Sequence, residues 1–139
     1  MRSVLLTSLV ALVAGGCSPA KQNAASPPGA PPAGVQWTAT VLYNQPKDTT
    51  AFEKYYAEKH GPLVAARAQE IGFTRAEFVR FAPSSDGKPA AFYRQADLRW
   101  ATKEARDKGM ASEGFKAVAG DIANFATGGF IVLLGTKTN

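Results

Sequence analysis

The sequence predicts an α+β fold in the order β-α-β-β-α-β, and three observations predict it. Val35, Trp37, Ala39, Val41 and Tyr43 alternate with Gln36, Thr38, Thr40, Leu42 and Asn44, the two-residue period of a strand. Phe52, Tyr55, Tyr56, Leu63 and Val64 follow at helical spacing. Phe130-Ile131-Val132-Leu133-Leu134 forms a last strand that is apolar at every position.

The elements follow in order from Val35. Pro46 ends the first strand, because proline has no N–H for the ladder. Thr50 and Glu53 have the spacing of a capping box at the start of the first helix. Gly61-Pro62 predicts a kink or restart in it, and Gly72 its C-terminal stop. A second strand is expected over 73–81, with Phe73, Val79 and Phe81 on one face. Pro83-Ser84-Ser85-Asp86-Gly87-Lys88-Pro89 is a turn by composition. A third strand is expected over 91–100, with Phe92, Ala96, Leu98 and Trp100 on one face and Tyr93, Gln95, Asp97 and Arg99 on the other. Two short helices come next, one over 102–108 ending before Gly109, the other capped by Ser112 and carrying Phe115, Val118, Ala119 and Ile122. Gly128-Gly129 leads into the last strand.

This order is that of the split βαβ, or ferredoxin-like, fold. Its helices cover one face of the sheet. A final strand apolar on both faces therefore calls for a second cover, which a two-fold homodimer pairing sheet against sheet supplies.

The beginning of the chain has a different character. Met1-Arg2, the apolar run Val4 to Val13 and Ala14-Gly15-Gly16 precede Cys17, the single cysteine. A charged start, a short apolar segment and small residues before a cut point make a secretory signal. Because the cut point is a cysteine, the block resembles a bacterial lipoprotein signal with its lipobox at residues 14–17. That resemblance implies removal of residues 1–16, lipid on Cys17 and anchoring to a bilayer. Ser18 in place of Asp implies the outer membrane of a double-membraned bacterium, facing the periplasm. Residues 17–34 are rich in Pro, Ala, Gly and Ser and lack large apolar side chains, so they read as a tether. The folded domain is expected over 35–139.

The 139 residues carry a formal charge of +5, and removal of Arg2 with the leader leaves 15 − 11 = +4. The basic residues are scattered from Lys47 to Lys108 with no dense run, which reads as a solvated surface and not a nucleic-acid stripe. One histidine and a lipid-bearing cysteine cannot build a zinc site of the usual N/S kind. There is no G-x-G-x-x-G nucleotide cradle and no G-x-S-x-G elbow. The residues name no cofactor.

Three segments together resemble the EthD family of dimeric α+β barrel proteins. They are the strand ending Val41-Leu42-Tyr43-Asn44, the pattern F-x-x-x-Y-x-x-x-H-x-P-L at Phe52, Tyr56, His60, Pro62 and Leu63, and D-x-x-N-F at Asp121, Asn124 and Phe125. The resemblance spans Val35 to Gly135. It implies the ferredoxin-like fold, a homodimer, and activity of the oxidoreductase type associated with the family's name.

His60, the single histidine, is the first candidate for chemistry. It can act as general acid or base, ligate a metal or haem, or tie the Gly61-Pro62 kink to a carbonyl. Near the expected end of a helical segment, the dipole would favour its charged form. Tyr56 lies one turn before it on the same face, a candidate partner in catalysis. Tyr43, Phe92 and Trp100 are candidate ligand-binding residues, with core packing as the alternative for each. Asp121 and Asn124 read as a local cap or bridge, and Asp97 as a surface charge. Three functions are compatible with these residues: binding of a small, largely apolar molecule with His60 as acid or base; haem binding or degradation with His60 as axial ligand; and a non-enzymatic tethered interaction module.

Overall fold

The computed structural model describes residues 34–138. The expected leader 1–16, Cys17 and the tether up to residue 33 lie outside the described residues. The element order is β1 (Val35–Tyr43), α1 (Thr49–Tyr55), a π-helical turn (Tyr56–His60), α2 (Gly61–Ile71), β2 (Arg75–Arg80), β3 (Arg94–Trp100), α3 (Lys103–Ala111), α4 (Glu113–Asp121), a 3₁₀ turn (Ile122–Asn124) and β4 (Phe130–Thr138). The strands form one sheet in the order β2-β3-β1-β4, with every neighbouring pair antiparallel. This is the ferredoxin-like α+β fold.

Strand parity sets the two faces. Ala39, Val41 and Tyr43 of β1 stand opposite Leu98, Ala96 and Arg94 of β3, and opposite Leu134, Val132 and Phe130 of β4. This inner face packs on the helices in two clusters. An aromatic one holds Tyr43, Phe52, Tyr56, Tyr93 and Phe125; an aliphatic one holds Val64, Ile71, Leu98, Trp100 and Val118.

Several local expectations are corrected. The cap of α1 is Asp48, not Thr50: its carboxylate accepts from the Ala51 N–H at 2.9 Å. Glu53 is thereby free to face the sheet. At Gly61-Pro62, where a kink or restart is expected, α2 starts directly from a helical turn of another kind. The first helix widens into this π turn, with the Gly61 N–H bonded to the Tyr56 carbonyl five residues back. Pro62 cannot donate to the Glu58 carbonyl and would crowd it in a regular helix, which the wider turn avoids. Gly72 is the C-cap at φ 70°, the left-handed geometry that glycine adopts without strain.

The second and third strands are shorter than expected, leaving Phe73, Phe81 and Phe92 outside them. The proline-flanked turn holds the returning chain away from the ladder until Tyr93, whose N–H bonds the Tyr43 carbonyl at 2.8 Å. Gly109 lies inside α3 instead of ending it. A Cβ there would sit 2.2 Å from the Ile71 carbonyl oxygen, so only glycine lets α3 approach the end of α2 this closely. β4 is an edge strand, as β2 is at the other end, and in the single chain both its faces are open: Phe130 to Leu134 are 38–54% exposed.

Candidate functional site

The two core clusters do not close on each other. Between them lies an apolar cavity of about 220 Å³ under the inner face of the sheet. Val41, Tyr43, Ala96 and Leu98 form its sheet wall, and Val64, Phe115, Val118 and Ile122 its helical wall. Its volume exceeds the roughly 150 Å³ of an engineered cavity that takes up benzene.

Tyr56 and His60 also line this wall. The π turn places both on the buried side of the helix, at 7% and 3% exposure, with ring centroids 5.2 Å apart. His60 Nδ1 lies 2.9 Å from Asp121 Oδ2. A carboxylate can only accept, so Nδ1 carries the hydrogen and Nε2 remains as the basic atom. Asp121 is held in turn by the Tyr55 hydroxyl at 2.9 Å and the Asn124 amide at 3.0 Å, both donating to Oδ1.

The electrostatics keep this pair asymmetric. Burial lowers the His60 pKa from its ordinary value, and the hydrogen bond to Asp121 only partly opposes it. The helix-end dipole expected at His60 is missing because the chain continues directly into α2. For Asp121, burial pushes the pKa upward, but hydrogen bonds from His60, Asn124 and Tyr55 outweigh it and hold the carboxyl below its usual range. At neutral pH the contact is therefore a neutral imidazole oriented by a carboxylate, the arrangement that prepares a histidine to accept a proton.

Tyr43 also lines the cavity, and burial drives its phenol far above the usual range, so it stays protonated. Phe92 and Trp100, expected at a ligand, do not line the cavity. Trp100 is fully buried and its indole N–H donates to the Ile71 carbonyl at 3.1 Å, a core role. Asp97, expected at the surface, is 6% exposed and paired with Arg99 and Thr40 on the sheet's other face.

Arg94 is the site residue that sequence reasoning missed. It shares strand parity with Ala96 and Leu98, so a charge at an apolar position was the available signal. Its Nη1 reaches both Glu53 carboxylate oxygens at 2.8 and 3.0 Å, and its guanidinium carbon lies 4.0 Å from the Tyr56 ring centre. Arg94 Nε and Tyr56 Oη are both buried without a hydrogen-bond partner among the described residues. Each such atom costs about 1–3 kcal/mol when left unpaired. Tyr56, Val64 and Phe78 separate the cavity from a second hollow of about 520 Å³, which runs along Ala57, Gly61, Ala65 and Ala68 to Arg94. Among the described residues there is no group of three or more His, Cys, Asp or Glu placed to hold a metal ion.

Known proteins can now be set beside this geometry. A sequence profile of the EthD domain matches residues 44–129. An uncharacterized 11.0 kDa protein from the thcB-thcC intergenic region of Rhodococcus erythropolis is 35% identical over 97 residues, 70% of this chain and 90% of that protein. The crystal structure of an EthD family protein from Bacillus halodurans superposes with a TM-score of 0.63 at 26% identity, covering 72% of this chain and 96% of that one. A dimeric ferredoxin-like protein of unknown function from Jannaschia superposes at 0.52 with 15% identity, over 72% and 97% of the two chains, a likeness of fold. The matched span contains α1 to α4 with Tyr56, His60, Asp121 and Asn124, and the chain belongs to the EthD domain family.

Proposed function

We propose that this chain binds a small, largely apolar molecule in the 220 Å³ cavity and that His60 exchanges a proton with it. The observation that carries this reading is the neutral His60, oriented by Asp121, on the wall of an otherwise apolar cavity. An apolar wall supplies affinity without direction, and a few polar atoms supply orientation. The Nε2 lone pair is the proton acceptor, and Asp121 fixes the tautomer and steadies the imidazolium that forms.

The same reading includes a homodimer. Five consecutive apolar residues on an open edge strand form a surface that natural edge strands usually avoid. A second copy would cover it, as the dimeric state of the Jannaschia protein of the same fold supports. Lipid on Cys17 would hold two such tethers to one bilayer in the bacterial envelope.

Proton exchange can be tested without the natural substrate. In D₂O, the α-hydrogens of α-tetralone should exchange faster with the protein than without it, as followed by NMR. His60→Gln should lower that rate by about 100-fold or more. Ala119→Phe, which fills the cavity, should abolish binding while His60→Gln retains it. Exchange that is unaffected by His60→Gln removes the acid–base role.

A further inference from the structure

The two unpartnered atoms of the site belong to one contact. Tyr56 Oη and Arg94 Nε both lack a hydrogen-bond partner among the described residues, and the guanidinium lies against the Tyr56 ring. Neither side chain can easily turn to find one. The Tyr56 ring is enclosed by Tyr43, Phe52 and Phe125 at centroid distances of 5.7–6.1 Å. Arg94 is fixed through Nη1 by Glu53, which also accepts from the Tyr93 hydroxyl. The Arg94 guanidinium is close enough to the Tyr56 phenol to oppose the rise that burial gives its pKa, yet no hydrogen bond of good geometry joins the two. Buried polar atoms in native proteins nearly always have partners, so this ill-satisfied pair has room for a further acceptor.

The chemistry of that group follows from the donors. Arg94 Nε can only donate, and a phenol hydroxyl donates readily, so together they suit one acceptor oxygen. Arg94 already shares its charge with Glu53, so the site favours a neutral, polarised oxygen over a full anion. The surrounding walls are apolar, which suits an oxygen carried on a hydrocarbon body better than a lone water. Phe78 packs on Tyr56 and lines the same hollow as Arg94. Its ring meets Tyr56 edge-on at 6.3 Å, it lines both hollows, and on the outer strand β2 it is 47% exposed. Swinging this ring outward loses little buried surface and opens the partition.

We infer that Tyr56 Oη and Arg94 Nε form the subsite for a ligand's carbonyl oxygen, reached when Phe78 swings aside, so that the molecule bound here is a small apolar ketone or quinone. This inference rests on the reading of the cavity as a ligand site. It assigns Tyr56 and Arg94 to recognition of the oxygen, and leaves proton exchange to His60. Polarising the carbonyl also makes the adjacent C–H more acidic, which is what a neutral histidine base needs.

The test compares α-tetralone with tetralin, which has the same skeleton without the carbonyl. Both are titrated into the full-length protein by calorimetry. α-Tetralone should bind about tenfold more tightly, the effect of roughly one net hydrogen bond. Its infrared carbonyl stretch should move to lower wavenumber on binding. Tyr56→Phe and Arg94→Lys should each remove both the preference and the shift. Without ligand, Tyr56→Phe should leave the melting temperature unchanged or raise it, because the hydroxyl it deletes has no partner. Equal affinities with an unshifted carbonyl overturn the carbonyl subsite and leave the cavity reading in place. So does a clear loss of ligand-free stability in Tyr56→Phe, which would show the hydroxyl already bonded. Binding of neither probe overturns the cavity reading, and this inference with it.

Discussion

Strands β3 and β4 of the same sheet treat their side chains in opposite ways. β3 is buried from Ala96 to Trp100, including the charged Asp97 and Arg99 at 6% and 5% exposure. β4 is apolar from Phe130 to Leu134, yet every one of those residues is at least 38% exposed. Position in the sheet explains the inversion. β3 has a strand on each side, so its outward charges find partners in register. Asp97 stands between Thr40 and Glu77, accepting from the Thr40 hydroxyl at 2.6 Å and from Arg99 Nε at 2.7 Å, while Arg99 also meets Glu77. β4 has a neighbour on one side only. The presence of partners, more than residue type, decides what is covered.

The sharpest way to break this contrast is to remove a partner from β3. Asp97→Ala leaves Arg99 covered and short of its main acceptor. The pair lies on the sheet face away from the helices, so the loss should reach about 2–3 kcal/mol, below the value for a deeply buried pair. Chemical denaturation would measure it, and a change under about 0.5 kcal/mol would mean the network is solvated. On β4 the opposite pattern is expected. Leu133→Lys removes a side chain that is 52% exposed in the single chain, so the fold should keep its stability. The proposed dimer should dissociate by about 1.5–3 kcal/mol per buried leucine, read by sedimentation. Unchanged sedimentation of wild type and variant as monomers would remove the dimer.

The smallest effect extends the comparison to His60, a buried polar group with a single charged partner. Its folded pKa is depressed, so the unfolded chain binds a proton first as the pH falls below about 6.5. Stability is therefore full above that pH and declines as the pH falls towards the lower folded pKa. Asp121, also depressed, adds a loss of the same sign in the more acid range below 3.8. His60→Gln should flatten the first decline only, as seen in melting temperature against pH. A decline of equal slope in the variant would assign it to other groups.

Much of the fold was legible because its signals are local. The alternation in β1, the stop at Gly72 and the cap at Ser112, which accepts from the Phe115 N–H at 3.1 Å, each depend on residues a few positions apart. The site was legible only in part. The spacing of Tyr56 and His60 placed them on one face, and the structure brings Tyr43 to the same wall. The link from His60 to Asp121 joins residues 61 apart and depends on how α4 packs, so local reading cast Asp121 as a cap. Glu53 was misassigned for a similar reason: a capping-box spacing competes with an ion pair to a strand 41 residues away, and the ion pair wins. Trp100, a ligand-binding candidate with core packing as the alternative, packs in the core with its N–H on the Ile71 carbonyl.

The π turn between α1 and α2 amounts to one residue more than a regular helix needs. Tyr56 and His60 therefore stand in two different helical frames, one inherited from each side of the turn. Deleting a residue within it, such as Ala57, would restore an ordinary helix and rotate everything before it by about 100°. His60 would keep its place beside Asp121, while Tyr56, Phe52 and Glu53 would turn away from the sheet together. Because Phe52 and Tyr56 belong to the aromatic core, the extra residue is what keeps that core in phase with the His60–Asp121 pair.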